Sequence, residues 1–232
     1  VGYKLAMMAY YTSAITTTQV RQVVSYFQTR AAASSITATS VQRMVYTEGD
    51  SISSQATSWP FVLQPNLSPA AFVGISALGG STMATMQSRA AALDADLPVL
   101  GTRKAILTVL IGANDLQSYP GGTDAIAAAA YVTDLQAYCL ARKNAGWKVV
   151  ICTILPRATP AAHNTRRALV NASIISIGVG TYWDKIADFG GDATMGLDAN
   201  ASNVTWYTDG IHPTVAGYAI LEGLARTQIN SI

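Results

Sequence analysis

From residue 41 onward the chain alternates short apolar runs with segments whose apolar residues recur at helical spacing. This alternation restricts the possible folds more than any other feature. Strand-like runs fall at 41–46, 70–75, 105–111 and 148–154, with helical patterns between them. Region 121–144 is the clearest helix, rich in Ala and closed by Asn144-Ala145-Gly146, and a final helix starts after Pro213 and runs through Tyr218, Leu221 and Leu224. Strands that alternate with helices pair in parallel through right-handed crossovers, so helices cover both faces of the sheet. The expected class is α/β. In such sheets reactive groups collect beyond the carboxyl ends of the strands, which means that a candidate site must follow strand-like runs.

The 232 residues suffice for one good-sized domain, and with 50% hydrophobic and 12% charged residues the chain reads as a well-buried globular protein. A formal net charge of +2 argues against a nucleic-acid partner, because the basic residues are scattered and gather only in isolated pairs such as Arg103-Lys104 and Arg166-Arg167. Mean hydropathy is positive at +0.26. Even so, apolar runs such as 125–132 fall short of the roughly 18 residues a membrane span needs. Cys139 and Cys152 read as buried free thiols, one on a helix and one on a strand. With two histidines, His163 and His212, a zinc site is not expected, no metal or organic cofactor is implied, and a histidine base has two candidates.

The first 40 residues form a separate piece. Residues 2–11 read as a strand, Thr16 and Gln19 as a capping box, Val20, Val23, Val24 and Phe27 as one apolar helix face, and 31–40 as a small-residue linker. Residues 1–33 resemble the closing piece of concanavalin-like (LamG-type) jelly-roll modules. The domain reading is therefore an extension over 1–40 and a main domain over 41–232. The chain begins at Val1 without a Met, as a processed form or an excised piece would. No signal peptide is expected to remain in it, so the compartment is not read from one, and a secreted or extracellular setting is favoured.

Three segments sit where an α/β sheet gathers its chemistry: Gly49-Asp50-Ser51 after the first strand, Gly112-Ala113-Asn114-Asp115 after the third, and Asp209-Gly210-Ile211-His212-Pro213 near the end. A serine hydroxyl is a weak nucleophile until a base takes its proton, and an imidazole oriented by a carboxylate does this at neutral pH. Asp209 and His212 are three residues apart in one short loop, so one segment can deliver both. The oxyanion of a tetrahedral intermediate needs preorganised donors. Asn114 is a suitable side-chain donor, and the Gly79-Gly80 turn a suitable source of a backbone N–H.

Together with Gly80-Ser81-Thr82, these segments resemble blocks I, II, III and V of the SGNH/GDSL hydrolases, in that family's order. The resemblance spans about residues 41–232. It implies a flavodoxin-like three-layer α/β/α sandwich on a five-stranded parallel sheet. By the same resemblance Ser51 is nucleophile and, through its N–H, an oxyanion donor; Gly80 and Asn114 are the other donors; His212 is the base and Asp209 its partner. Block II departs from the family in having Ala77-Leu78-Gly79 before Gly80, which leaves Gly79 as the alternative donor. Ala113 stands where relatives often have Gly. The Gly-x-Ser-x-Gly elbow of the larger α/β-hydrolases is absent around Ser51.

Plainer roles compete at each position. Taken alone, Ser51 reads as a turn serine, a reading that the other blocks outweigh; Asp50 reads as a helix cap, His212-Pro213 as a helix start with Pro at its first position, and Asn114-Asp115 as a turn in which Asp115 holds the loop. His163 reads as a solvent-exposed loop residue, with a substrate contact as the alternative. Trp206 and Tyr207 read as lining an acyl or sugar pocket, or as core. The function expected is ester hydrolysis through an acyl-enzyme on short-chain, acetyl-like esters of small molecules or acetylated carbohydrate. The alternatives are a thioesterase or lysophospholipase for longer chains and a silent carbohydrate-binding module; a flavin- or nucleotide-binding domain ranks last.

Overall fold

The computed structural model describes residues 43–97 and 103–232. All of them fall in the second of the two units into which the chain divides, Val41–Ile232. The strand, capping box, helix and linker expected over 1–40 lie outside the described residues.

Five strands, β1 (Arg43–Gly49), β2 (Ala71–Ile75), β3 (Lys104–Leu110), β4 (Lys148–Cys152) and β5 (Lys185–Ala187), form one sheet in the order β2-β1-β3-β4-β5. Every pairing is parallel. The helices are α1 (Ser51–Ser54), α2 (Trp59–Leu63), α3 (Met83–Asp94), α4 (Asp124–Ala145), α5 (Ala161–Ile177) and α6 (Val215–Asn230). Because side chains alternate faces along a strand, β3 sends Leu107 and Val109 to one side and Ile106 and Leu110 to the other. The first side is covered by Met83 and Leu93 of α3, Tyr131 and Leu135 of α4, and Ile174 of α5. The second is covered by Trp59 and Leu63 of α2 and Tyr218, Leu221 and Ala225 of α6. The result is the three-layer α/β/α sandwich, with each layer of helices closing one core.

The helix ends follow local chemistry. The Thr123 side chain accepts the Ile126 N–H at the start of α4, Asp124 lies in its first turn, Arg142 and Lys143 lie in its last, and Gly146 ends it. That start is later than the expected 121. Helix α6 is capped by Thr214, whose hydroxyl accepts the Gly217 N–H. Pro213 therefore precedes the cap instead of occupying the first helical position, and it pairs across to Tyr207 in an isolated antiparallel bridge. The fourth strand stops at Cys152, short of 154, because Asn171 takes both the N–H and the carbonyl of Ile154. Cys139 and Cys152 are buried free thiols, and burial pushes the Cys139 thiol up to about 12.

Strand order positions the site. After β1 the chain adds β2 on one side, then returns to place β3 on the other. The crevice between the ends of β1 and β3 is thus the point where the winding reverses, where ligands bind in this architecture.

Candidate active site

Gly49 ends β1 at φ +156°, and a Cβ there would lie 2.1 Å from the Leu110 carbonyl oxygen of β3. Only glycine lets β1 turn so close to its neighbour. Asp50 follows as the cap of α1: its carboxylate accepts the Ile52 N–H at 3.0 Å. Burial pushes this carboxyl up to about 6, against the N–H groups of Ile52 and Ala113, which favour the charged form. Ser51 is then the first residue of α1, where a backbone N–H has no intrahelical acceptor.

The Asp209–His212 loop folds on its own carboxylate. Asp209 Oδ1 accepts the N–H groups of Ile211 (3.0 Å) and His212 (2.9 Å), while Oδ2 lies 2.7 Å from His212 Nδ1. Burial raises the Asp209 carboxyl, but the His212 N–H, the His212 ring and the Ile211 N–H outweigh it and hold the group below its ordinary value. An ionised carboxylate only accepts, so it selects the tautomer with hydrogen on Nδ1. The other nitrogen, Nε2, is left to accept from Ser51 Oγ, 2.7 Å away. Gly210, at φ +81°, lets the loop close: a Cβ there would sit 2.6 Å from that of Ala158.

The turn after β2 is anchored to both neighbouring segments. The Leu78 N–H donates to the Gly49 carbonyl, 3.1 Å, and Asn114 Nδ2 donates to the Ser81 carbonyl, 3.0 Å. Gly79 and Gly80 lie between these anchors, exposed, with Gly80 at φ +74°. An amide carries two N–H bonds. One of those on Asn114 is committed to Ser81, which fixes the amide plane and leaves the other for a ligand. Asp115 Oδ1 accepts the Met83 N–H at 2.9 Å and so holds this loop to the start of α3; burial pushes the Asp115 carboxyl up to about 6.

Two expectations are corrected. Tyr207 is 1% exposed, and its hydroxyl donates to the Met195 carbonyl at 2.6 Å, so it belongs to the core and lines no pocket. Trp206 is half-buried against the same core. His163 is neither in a loop nor exposed. It sits in the first turns of α5, fully buried, with Nε2 3.4 Å from the Leu155 carbonyl, and burial lowers its imidazole to about 4.

The sequence reading also passed over three charged residues. Glu48, one residue before Gly49, is fully buried and accepts a hydrogen bond from the Tyr138 hydroxyl. Arg89 Nη1 donates to Ser81 Oγ at 3.2 Å, bracing the glycine turn from α3. Arg157 Nη1 donates to the Ala113 carbonyl at 2.6 Å. A charge inside an apolar strand was a readable signal for Glu48; the two arginines carried none.

Among the described residues no group of three or more His, Cys, Asp or Glu is arranged to hold a metal ion, and no helix is long and apolar enough to cross a membrane. Chemically, the arrangement offers a hydroxyl poised on an imidazole, a carboxylate behind that imidazole, and a nearby amide with a free donor.

The sheet order, the helical layers and the segments gathered at the carboxyl edge define a protein of the SGNH hydrolase fold. The model of the GDSL-like lipase/acylhydrolase family matches residues 34–220, and the chain belongs to that family. Among solved structures, TesA aligns with a TM-score of 0.60 at 19% identity, over 82% of this chain and 99% of its own. A lipase/acylhydrolase from Enterococcus faecalis aligns with a TM-score of 0.59 at 16% identity, over 82% and 96%. The acetyl xylan esterase AlAXEase aligns with a TM-score of 0.55 at 16% identity, over 79% and 98%. At these identities the likeness is one of fold. No curated protein matches the chain by sequence.

Proposed function

We propose that this chain is a serine esterase that cleaves short-chain, acetyl-like carboxylic esters, including those on acetylated carbohydrate, through an acyl-enzyme. The observation that carries the reading is the continuous relay of two 2.7 Å contacts, Ser51 Oγ to His212 Nε2 and His212 Nδ1 to Asp209 Oδ2. In the first step Ser51 Oγ attacks the ester carbonyl carbon while its proton passes to His212 Nε2. Asp209 stabilises the imidazolium. The carbonyl oxygen, now an oxyanion, takes hydrogen bonds from the Ser51 N–H, a glycine N–H of the 79–80 turn and the free N–H of Asn114. Collapse breaks the bond to the alcohol oxygen, which receives the proton from His212. Water, activated by the same imidazole, then releases the carboxylic acid and restores Ser51.

The short-acyl preference is supported by the rim. Leu78, Gly79, Gly80, Thr208 and Asp209, which adjoin the relay and the oxyanion turn, are all exposed, and of these only Leu78 offers a large apolar side chain to an acyl group. Each methylene left in water forgoes about 0.8 kcal/mol. The test is a series of p-nitrophenyl esters from acetate to palmitate, with acetate release from acetylated xylan as a second readout. The expected result is a kcat/KM maximum at two to four carbons. A maximum at eight or more would replace this reading with a long-chain thioesterase or lysophospholipase.

A further inference from the structure

Between β4 and α5 the chain crosses the carboxyl edge of the sheet at Arg157 and Ala158, and it is tied there to both halves of the candidate site. Arg157 Nη1 donates to the Ala113 carbonyl at 2.6 Å. The Ala158 N–H donates to the Gly210 carbonyl at 2.8 Å. Ala113 directly precedes Asn114, and Gly210 lies two residues before His212. The clip therefore spans from the amide donor to the base.

The Ala113 carbonyl shares a rigid peptide plane with the Asn114 N–H, so whatever fixes that carbonyl fixes the position from which the Asn114 side chain springs. The Ala113 N–H on the other side lies near the Asp50 carboxylate and favours its charged form. Arg157 is itself firmly mounted: its N–H donates to Asn164 Oδ1 at 2.9 Å, and its carbonyl accepts from Asn164 Nδ2 at 2.8 Å. Asn164 belongs to the 17-residue helix α5. Among the described residues the Arg157 guanidinium makes no ion pair, in contrast to Arg166 with Asp124 and Arg167 with Asp198. Its hydrogen bond goes to a neutral carbonyl one residue from the amide donor. An arginine placed only for surface charge pairing has no reason to reach that carbonyl.

We propose that Arg157 is a positioning residue for the oxyanion site, holding the Ala113–Asn114 peptide so that the free Asn114 N–H meets the tetrahedral oxygen. The proposal rests on the serine-esterase reading. A donor held 1 Å off its mark loses transition-state stabilisation while substrate binding is spared. The effect of removing Arg157 must therefore appear in kcat and must pass through Asn114.

The test is a double-mutant cycle on p-nitrophenyl acetate with Arg157→Met, Asn114→Ala and the pair. Arg157→Met is expected to lower kcat about 10- to 100-fold, with KM changed less than about threefold, and to add less than about threefold to the loss already caused by Asn114→Ala. Arg157→Lys, which keeps a cationic donor on a flexible stem, is expected to recover at least part of the kcat. An equal fold loss in both backgrounds would overturn the proposal, since Arg157 would then act independently of Asn114. So would a kcat in Arg157→Met equal to the wild type, or a loss confined to KM. Should Arg157→Met fail to fold, Arg157→Gln is carried through the same cycle with the same criteria. A wild type inactive on all esters would instead refute the esterase reading, a result distinct from an active wild type indifferent to Arg157.

Discussion

Replacing Glu48 with Gln should make the protein more stable at pH 8 and leave it nearly unchanged near pH 4. Glu48 is fully buried in β1, and burial pushes its carboxyl from an ordinary value of 4.5 up to about 7. The guanidinium groups of Arg89 on α3 and Arg142 on α4 oppose this rise, as does a hydrogen bond from Ser76; Asp94 on α3 adds to it. The Tyr138 hydroxyl of α4 also bonds the carboxylate. A raised carboxyl means that between pH 4.5 and about 7 the folded state holds a proton the unfolded chain has released. Stability therefore falls as pH rises through that window and is flat above it. At about 1.36 kcal/mol per pH unit, the rise from 4.5 to about 7 comes to about 3 kcal/mol. Gln has no charge to bury and keeps an oxygen for Tyr138, so Glu48→Gln should regain up to that amount at pH 8. Urea unfolding of both proteins at pH 4, 6 and 8 measures it. Asp50 and Asp115, each raised to about 6, contribute slopes of the same sign, but these are common to both proteins and cancel in the difference. A stability difference that does not change with pH, or a variant less stable than wild type at pH 8, would refute the reasoning.

Two other perturbations have calculable outcomes. Asp209→Asn keeps the size of the side chain but removes the charge that holds hydrogen on His212 Nδ1; kcat should fall roughly 10²- to 10⁴-fold with KM little changed, and steady-state kinetics retaining more than half the activity would contradict that role. Gly49→Ala would put a methyl group 2.1 Å from the Leu110 carbonyl oxygen at φ +156°; it should cost about 3 kcal/mol, so a thermal midpoint equal to wild type would show that β1 and β3 can part there.

Strands β1 to β4 and helices α4 and α6 were legible because their apolar periodicity is strong and α4 closes at Gly146, while the caps Thr123 and Thr214 were passed over and both helices start later than expected. The three-residue strand β5, Lys185–Ala187, was not, because it has no apolar run and becomes a strand only by pairing with β4. His163 read as a loop residue for a related reason. The buried face of α5 carries His163, Arg167, Val170 and Ile174, and two polar residues at its start mask the helical period. Ser51, Asp209 and His212 stood out through a serine in a glycine turn at a strand end, an aspartate three residues before a histidine, and the resemblance of these segments, in order, to the SGNH/GDSL blocks. The sequence could not reveal what surrounds them. Arg157, Arg89 and Glu48 act through hydrogen bonds spanning 44, 8 and 90 residues, and no local pattern records such pairings. Tyr207 looked available to a substrate only because an aromatic beside a reactive loop gives no sign of its burial.

The central claim is that Ser51 is the nucleophile of an ester hydrolase, and its most direct test combines turnover with covalent labelling. Wild type and Ser51→Ala would be assayed side by side on p-nitrophenyl acetate at neutral pH, and the wild type treated with a fluorophosphonate and digested for mass spectrometry. The account predicts hydrolysis by the wild type, loss of at least about 10³-fold in the variant, and the label on Ser51. A variant as active as the wild type, or a label on another residue, would contradict it.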